Sequence, residues 1–331
     1  DDSIKISLKS DVGYYKFKTS SFTNISITSN QISLNSITLF TPPTPSPVNW
    51  FTWDGTSITG LSSLGLNATK LVFPEIATNI KNNAFVSNGN IRTVDLRISK
   101  VKTIGDSAFY SCSNLTSVLL PNSLKTIEGN AFANCKVLES IVLPDSVETL
   151  GIYSFSNCTK LSSINIPSNI KSIPNAIFQK CESLKSISIP LSVTTIGNQA
   201  FSYTGLKTIS IPENVTILNV APFYFCEQLE SINILSTKIT TISTSFAYNS
   251  TSLKKVNIPN SITDINSNAF YNCTSLSEIN IPNNVKYIGS NAFNVENNNP
   301  IPNLVVYVNS NSVENLIKSV FAGIVINLSR G

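Results

Sequence analysis

The chain has 331 residues, of which 13% are charged, and its 23 basic side chains against 19 acidic ones leave a net charge of +4 with no histidine at all. Without imidazole the usual general base, metal ligand and triad member are missing, so neither an enzyme nor a metal or cofactor site is expected. Only Arg92, Arg97 and Arg330 are arginine, and the lysines do not cluster, so the basic stripe that a nucleic-acid partner would need is absent.

Residues 1–53 are expected to form an N-terminal β-rich cap with a proline-rich linker. Ile4–Leu8, Tyr14–Lys18 and Ile25–Thr28 alternate apolar and polar side chains as short strands do, and Thr41–Pro47 is rich in proline. Trp50, Phe51 and Trp53 then either cover the open end of an apolar core or form an exposed aromatic binding site. The start at Asp1-Asp2-Ser3, with no methionine anywhere, fits a mature ectodomain or a trimmed chain.

From residue 54 to 300 the sequence repeats. Phe85, Phe109, Phe132, Phe155, Phe178, Phe201, Phe223, Phe246, Phe270 and Phe293 follow one another at intervals of 22 to 24 residues, which implies ten coils. Six cysteines share this register, each three residues after its phenylalanine: Cys112, Cys135, Cys158, Cys181, Cys226 and Cys273. An apolar residue such as Ile127 stands five before the phenylalanine, and leucine such as Leu138 stands six after it. Each repeat ends in an alternating segment closed by proline, such as Leu161–Pro167, which reads as a short strand. The Ala-Phe-x-x-Cys stretch has helix-like spacing. A segment of this size cannot bury its apolar side alone, whereas stacked neighbours can, and the period lies in the range of leucine-rich repeats.

Local departures are visible. Thr204, Asn249 and Asn88 stand at the cysteine phase, Leu235 replaces proline, and one-residue slips precede Leu206 and Leu253, all of which predict irregular coils. Residues 301–331 read as a C-terminal cap of strand, short helix and strand.

These repeats, with the lead-in Asp54–Gly60 and Leu71–Pro74 and the closing Leu304–Val308, resemble the BspA-like leucine-rich-repeat class found on surfaces of bacteria and parasitic protozoa. The resemblance covers residues 54–321 and implies a β-rich solenoid of the α/β repeat class. Its short strands would lie on a concave face, with short helical or irregular turns on the convex one. It also implies an extracellular or cell-surface location and a non-enzymatic adhesin that binds protein or glycan on a host cell or matrix. The alternative is a structural or glycan-contacting coat protein without a tight protein ligand. No apolar run approaches the length that crosses a bilayer, although an anchor outside this chain is compatible with the family.

The cysteines are expected to be buried and reduced. Cys226 and Cys273 have no cysteine on adjoining coils, where Thr204, Asn249 and Glu296 occupy the phase, and at about 4.8 Å per coil a gap of two coils exceeds disulfide reach. Those on consecutive coils point the same way. Asn-x-Ser/Thr sites at Asn24, Asn67, Asn114, Asn157, Asn214, Asn249, Asn272 and Asn327 are no more than 41 asparagines give by chance, so they do not fix a compartment.

The remaining candidate surface is the outward side of the closing strands. One row comprises Asp95, Leu119, Val142, Asn165, Ser188, Ser210, Asn233, Asn257 and Asn280, and two positions earlier lies another that ends in Ser231, Lys255 and Glu278. Most of these are small and polar, with Leu119 and Val142 as an apolar patch. The row is either ordinary sheet surface or the ligand face.

Overall fold

A computed structural model describes residues 5–6, 15–16, 25–28, 31–34, 44–308, 311–320 and 325–328. The chain divides into two compact units, Asp1–Thr44 and Pro45–Gly331. In the first, Lys5–Ile6 pairs antiparallel with Tyr15–Lys16, and Ile25–Thr28 with Gln31–Leu34.

The second unit is a parallel β-solenoid of about 11 turns with little helix. Each regular coil contributes two short strands. Closing strands Lys70–Val72, Thr93–Asp95, Ser117–Leu119, Ser140–Ile141 and Ser163–Ile164 form one parallel ladder. Its register keeps equivalent repeat positions opposite each other, as with Val118 and Val94. A second ladder, not foreseen from the sequence, joins Asn79–Ile80, Thr103–Ile104, Thr126–Ile127 and Thr149–Leu150. The apolar residue five before each phenylalanine belongs to this ladder, and its β-branched side chain suits a half-buried strand. The additional turn at residues 57–72 opens both ladders without a register phenylalanine, its strands Ser57–Leu61 and Lys70–Val72 pairing onto the next coil.

The stretch around each phenylalanine is an irregular turn rather than a helix. Positive φ recurs two residues before and two after the ring, as at Asn130 (52°) and Asn134 (62°) around Phe132, and this interrupts any right-handed run. Backbone donors consequently alternate in direction. Ala108 N–H bonds within its coil to Gly105 O at 3.1 Å, and the neighbouring Phe109 N–H crosses to Ala131 O of the next coil at 2.8 Å. Asparagine, which tolerates the left-handed region, occupies many of these positions. Among the described residues the α-helix is Asn311–Val320.

The register phenylalanines are buried and form one spine through the array. From Phe85 to Phe223 successive rings lie 5.0 to 6.2 Å apart and near parallel. Phe73 and buried Phe51 continue the spine towards the N-terminal end, where Trp50 and Trp53 pack against the core. Towards the C-terminal end Val305–Val308 pairs with Glu278–Ile281 and with Val325–Leu328, and Val313 and Ile317 of the helix are buried.

Irregular coils appear where the spacing slips. No closing strand forms over residues 186–189, and the ladder resumes at Thr208–Ile211, after the coil shortened before Leu206. Leu235, standing where proline is usual, uses its N–H to donate to Ile211 O at 2.9 Å. The residue at the cysteine position of the coil that begins with Phe246 is Ser250 and not Asn249: the inserted residue shifts the phase, and Ser250 is the buried one.

Candidate ligand face

All six cysteines are free and buried. Each thiol donates to a carbonyl of the preceding coil, as Cys135 Sγ does to Phe109 O at 3.2 Å and Cys158 Sγ to Phe132 O at 3.1 Å. Burial pushes these thiols up, Cys226 to about 11 and Cys112 and Cys181 to about 12. A thiol that holds its proton in a dry core is a poor nucleophile.

The closing strands set the candidate row on the solvent side, because period-2 alternation sends every second side chain away from the spine. Leu119 is 41% exposed and Val142 76%, and the pairing of Ser117 with Ser140 places them beside each other. Asn165, Ser188, Ser210, Asn257 and Asn280 are exposed and Asn233 is half-buried. Asp95 differs, being only 5% exposed. Its carboxylate receives Arg97 Nη2 at 2.7 Å and Arg97 Nε at 3.0 Å. Burial alone would raise the Asp95 carboxyl, but these bonds and the guanidinium charge outweigh it and hold the group below its ordinary 3.8. Asp95 is therefore committed to Arg97.

The asparagines of the row are engaged unequally. Asn165 Nδ2 donates to Leu143 O and Asn165 Oδ1 accepts from Leu143 N–H, both at 2.8 Å, so its carboxamide is used by the fold. Asn257 Nδ2 donates to Asn233 Oδ1 at 3.1 Å. The side chain of Asn280 makes no bond to the described residues.

Two open clefts lie on this face, and neither is at the Leu119 and Val142 patch. The first, of about 510 Å³, follows the small side chains of Ser186, Ser188, Thr208 and Ser210. The second, of about 690 Å³, is lined by Asn233, Asn257, Asn280, Lys255, Glu278 and Tyr307. Among the described residues no three histidine, cysteine or carboxylate side chains gather as a metal site, and no helix is long and apolar enough to cross a membrane.

A row of aromatic rings on the turns was missed in the sequence. Tyr203 stacks on Phe225 at 5.0 Å, Tyr224 on Tyr248 at 5.0 Å and Tyr248 on Tyr271 at 4.8 Å, with Lys180 Nζ 5.8 Å from the Tyr203 ring centre. Its signal was an aromatic residue one or two positions after the register phenylalanine in successive coils.

Six copies of the BspA type leucine rich repeat region match the chain, over residues 62–161, 102–230 and 194–327. No curated protein matches it. A leucine-rich repeat protein from Bacteroides ovatus is 25% identical with a TM-score of 0.50, the likeness covering 96% of this chain and 100% of that one. A leucine rich cell surface protein from Faecalibacterium prausnitzii is 20% identical over 86% of this chain and 100% of that one, with a TM-score of 0.42. The pneumococcal vaccine antigen PcpA is 16% identical over 99% of this chain and 97% of that one, with a TM-score of 0.41.

Proposed function

This chain belongs to the BspA-type leucine-rich repeat family, and from that premise we propose that it is an extracellular or surface-borne, non-enzymatic interaction protein. It acts as an adhesin that holds protein or glycan of a host cell or matrix. In this reading residues 54–300 are the scaffold, 1–53 and 301–331 cap it, and the row from Asp95 to Asn280 is the ligand face, with Asp95 held in place by Arg97. The observation that carries the reading is that five of the nine side chains of the row are left over from folding: Leu119 and Val142 stand exposed and apolar, and the side chains of Ser188, Ser210 and Asn280 make no hydrogen bond to the described residues. Repeat proteins use such extended faces for partners, and exposed apolar groups ringed by polar ones supply most of an interface's energy.

The test is a binding screen of the purified chain against matrix proteins, cell-surface proteins and a glycan array. Saturable binding that substitutions in the row abolish is the expected result. Absence of saturable binding to any of them would favour a structural coat instead.

A further inference from the structure

We infer that the cleft between the coils at residues 231–234 and 305–308 is a saccharide site that takes an extended, neutral, β-1,4-linked oligosaccharide laid along the array. The inference rests on the proposed role of the closing-strand face and names a ligand class for one part of it.

The first argument is what the cleft leaves unengaged. Asn280, Lys255, Glu278 and Tyr307 line it with side chains whose polar groups bond to no other described residue. One Asn233 to Asn257 bond leaves the Asn233 amide nitrogen and the Asn257 carbonyl oxygen with capacity to spare. Carboxamides offer a donor and an acceptor side by side, which is the complement of vicinal hydroxyls, whereas Asn165, one coil before the serine-lined cleft, has spent both on Leu143.

Charge and polarity narrow the ligand. Lys255 and Glu278 follow each other on adjacent strands and cancel, so the cleft favours neither a polyanion nor a polycation. Tyr307 is half-buried and is the aromatic ring at the cleft, suited to pack on the apolar C–H face of a sugar. A protein partner would need buried apolar or aromatic anchors, and here one ring stands among amides. Spacing gives the third argument. Asn233 and Asn257 pair across one coil step of about 4.8 Å, and Asn280 follows on the next closing strand, which belongs to the succeeding sheet. That paired step is comparable to one pyranose residue of a straight β-1,4-linked chain, so two successive sugars meet the Asn233 and Asn257 amides, with Asn280 and Tyr307 beyond them.

The test titrates the intact chain with cellotetraose, chitotetraose, β-1,4-mannotetraose and β-1,4-xylotetraose, read by calorimetry up to ~10 mM, the range of weak single-site affinities. At least one should bind, more tightly than its monosaccharide. The exposed double variant Asn257→Ala with Asn280→Ala should weaken it about tenfold or more, equivalent to the loss of one or two hydrogen bonds. Lys160→Ala, an exposed residue outside the row of closing-strand side chains, should leave it unchanged. Saccharide binding that the double alanine variant does not alter overturns the placement. If none of the four binds while the chain still adheres to cells or matrix, the saccharide inference falls and the adhesin reading stands. Adhesion to a purified protein that the double alanine variant abolishes, with no saccharide bound, makes the cleft a protein site and overturns the inference as well. Loss of both activities removes both readings.

Discussion

Ser250 Oγ donates to the carbonyl oxygen of Phe223 at 3.1 Å, the bond that a thiol makes in the coils that carry cysteine. Its backbone behaves likewise, because Leu253 N–H donates to Ser250 O as Leu115 N–H donates to Cys112 O. What the position requires is a small side chain with one proton to give, and sulfur and oxygen both provide it. Ser250→Cys should therefore keep stability within about 1 kcal/mol, whereas Ser250→Ala should cost about 1 to 2 kcal/mol by removing a buried donor. Urea denaturation of both variants decides it; an alanine variant as stable as the parent would contradict the assigned role.

The thiols predict a pH dependence. Their ordinary value is 9.0, and burial raises Cys226 to about 11 and Cys181 to about 12. Between those limits the unfolded chain loses thiol protons that the folded chain keeps, so the unfolded state binds fewer protons and stability falls as pH rises. Below pH 9 the contribution is fully present. Each thiol adds a slope of about 1.4 kcal/mol per pH unit within its window. Denaturation at pH 8 and pH 10 should show the loss, and Cys226→Thr, which copies Thr204 one coil earlier, should reduce it. Before unfolding few thiols should react with a disulfide reagent, and after unfolding without reductant all six should.

Lys180 occupies a left-handed position, with φ of 60°, two residues after Phe178. At the same phase Asn157 Nδ2 donates to Asn134 Oδ1, and Asn272 Nδ2 to Asn249 Oδ1. Lys180→Asn should extend the first of these ladders and relieve the backbone, raising stability by about 0.5 to 1 kcal/mol despite the lost contact with Tyr203. A lower melting temperature would show that the lysine is worth more over that ring than the asparagine ladder returns.

Placing charge on the apolar patch separates binding from folding. Leu119→Glu with Val142→Lys should weaken adhesion about tenfold or more if the patch anchors a protein, because desolvated apolar groups dominate such interfaces. The melting temperature should barely move, since both side chains point to solvent. Adhesion that survives this change and disappears on deletion of residues 1–44 would move the site to the N-terminal unit. The deletion stops there because Phe51 is buried against Phe73.

Much of this molecule was legible because one period controls it. Phenylalanine and leucine recur in phase since each stacks on its own kind in the next coil, and cysteine recurs where a small buried donor is needed, so Phe132 or Leu138 announces its burial without any structure. The second strand escaped notice because Thr126–Ile127 is two residues long, too short for alternation to register. The turns were misleading for a different reason: Ala131, Phe132 and Cys135 have helical spacing, and only the left-handed backbone at Asn130 and Asn134 separates their turn from a helix. Strand alternation assigns Asp95 to the outward row, yet the residue is buried, covered by Arg97 in a side-chain pairing that strand periodicity does not encode. The polar cleft depends on which amides the fold has already used, as the contrast between Asn165 and Asn280 illustrates, and that accounting needs coordinates.

The strand ladders are interrupted, and the interruptions have a mechanical meaning. Both ladders divide into three successive sheets, of five, three and three strands on the closing side and six, three and three on the other. Beside the later break Phe246 stands edge-on to its neighbours, at 87° to Phe223 and 74° to Phe270. The earlier breaks coincide, after Thr149–Leu150 and Ser163–Ile164, whereas the later ones fall one coil apart and each is bridged by the other ladder, so the array has one soft joint. Pulled between its ends by optical tweezers, it is expected to lengthen in two increments rather than one, the first lowering the load on the block still folded. A molecule that yields by blocks can hold a surface through a pulse of flow that would strip a rigid one, and a single all-or-none rupture in that measurement would rule this behaviour out.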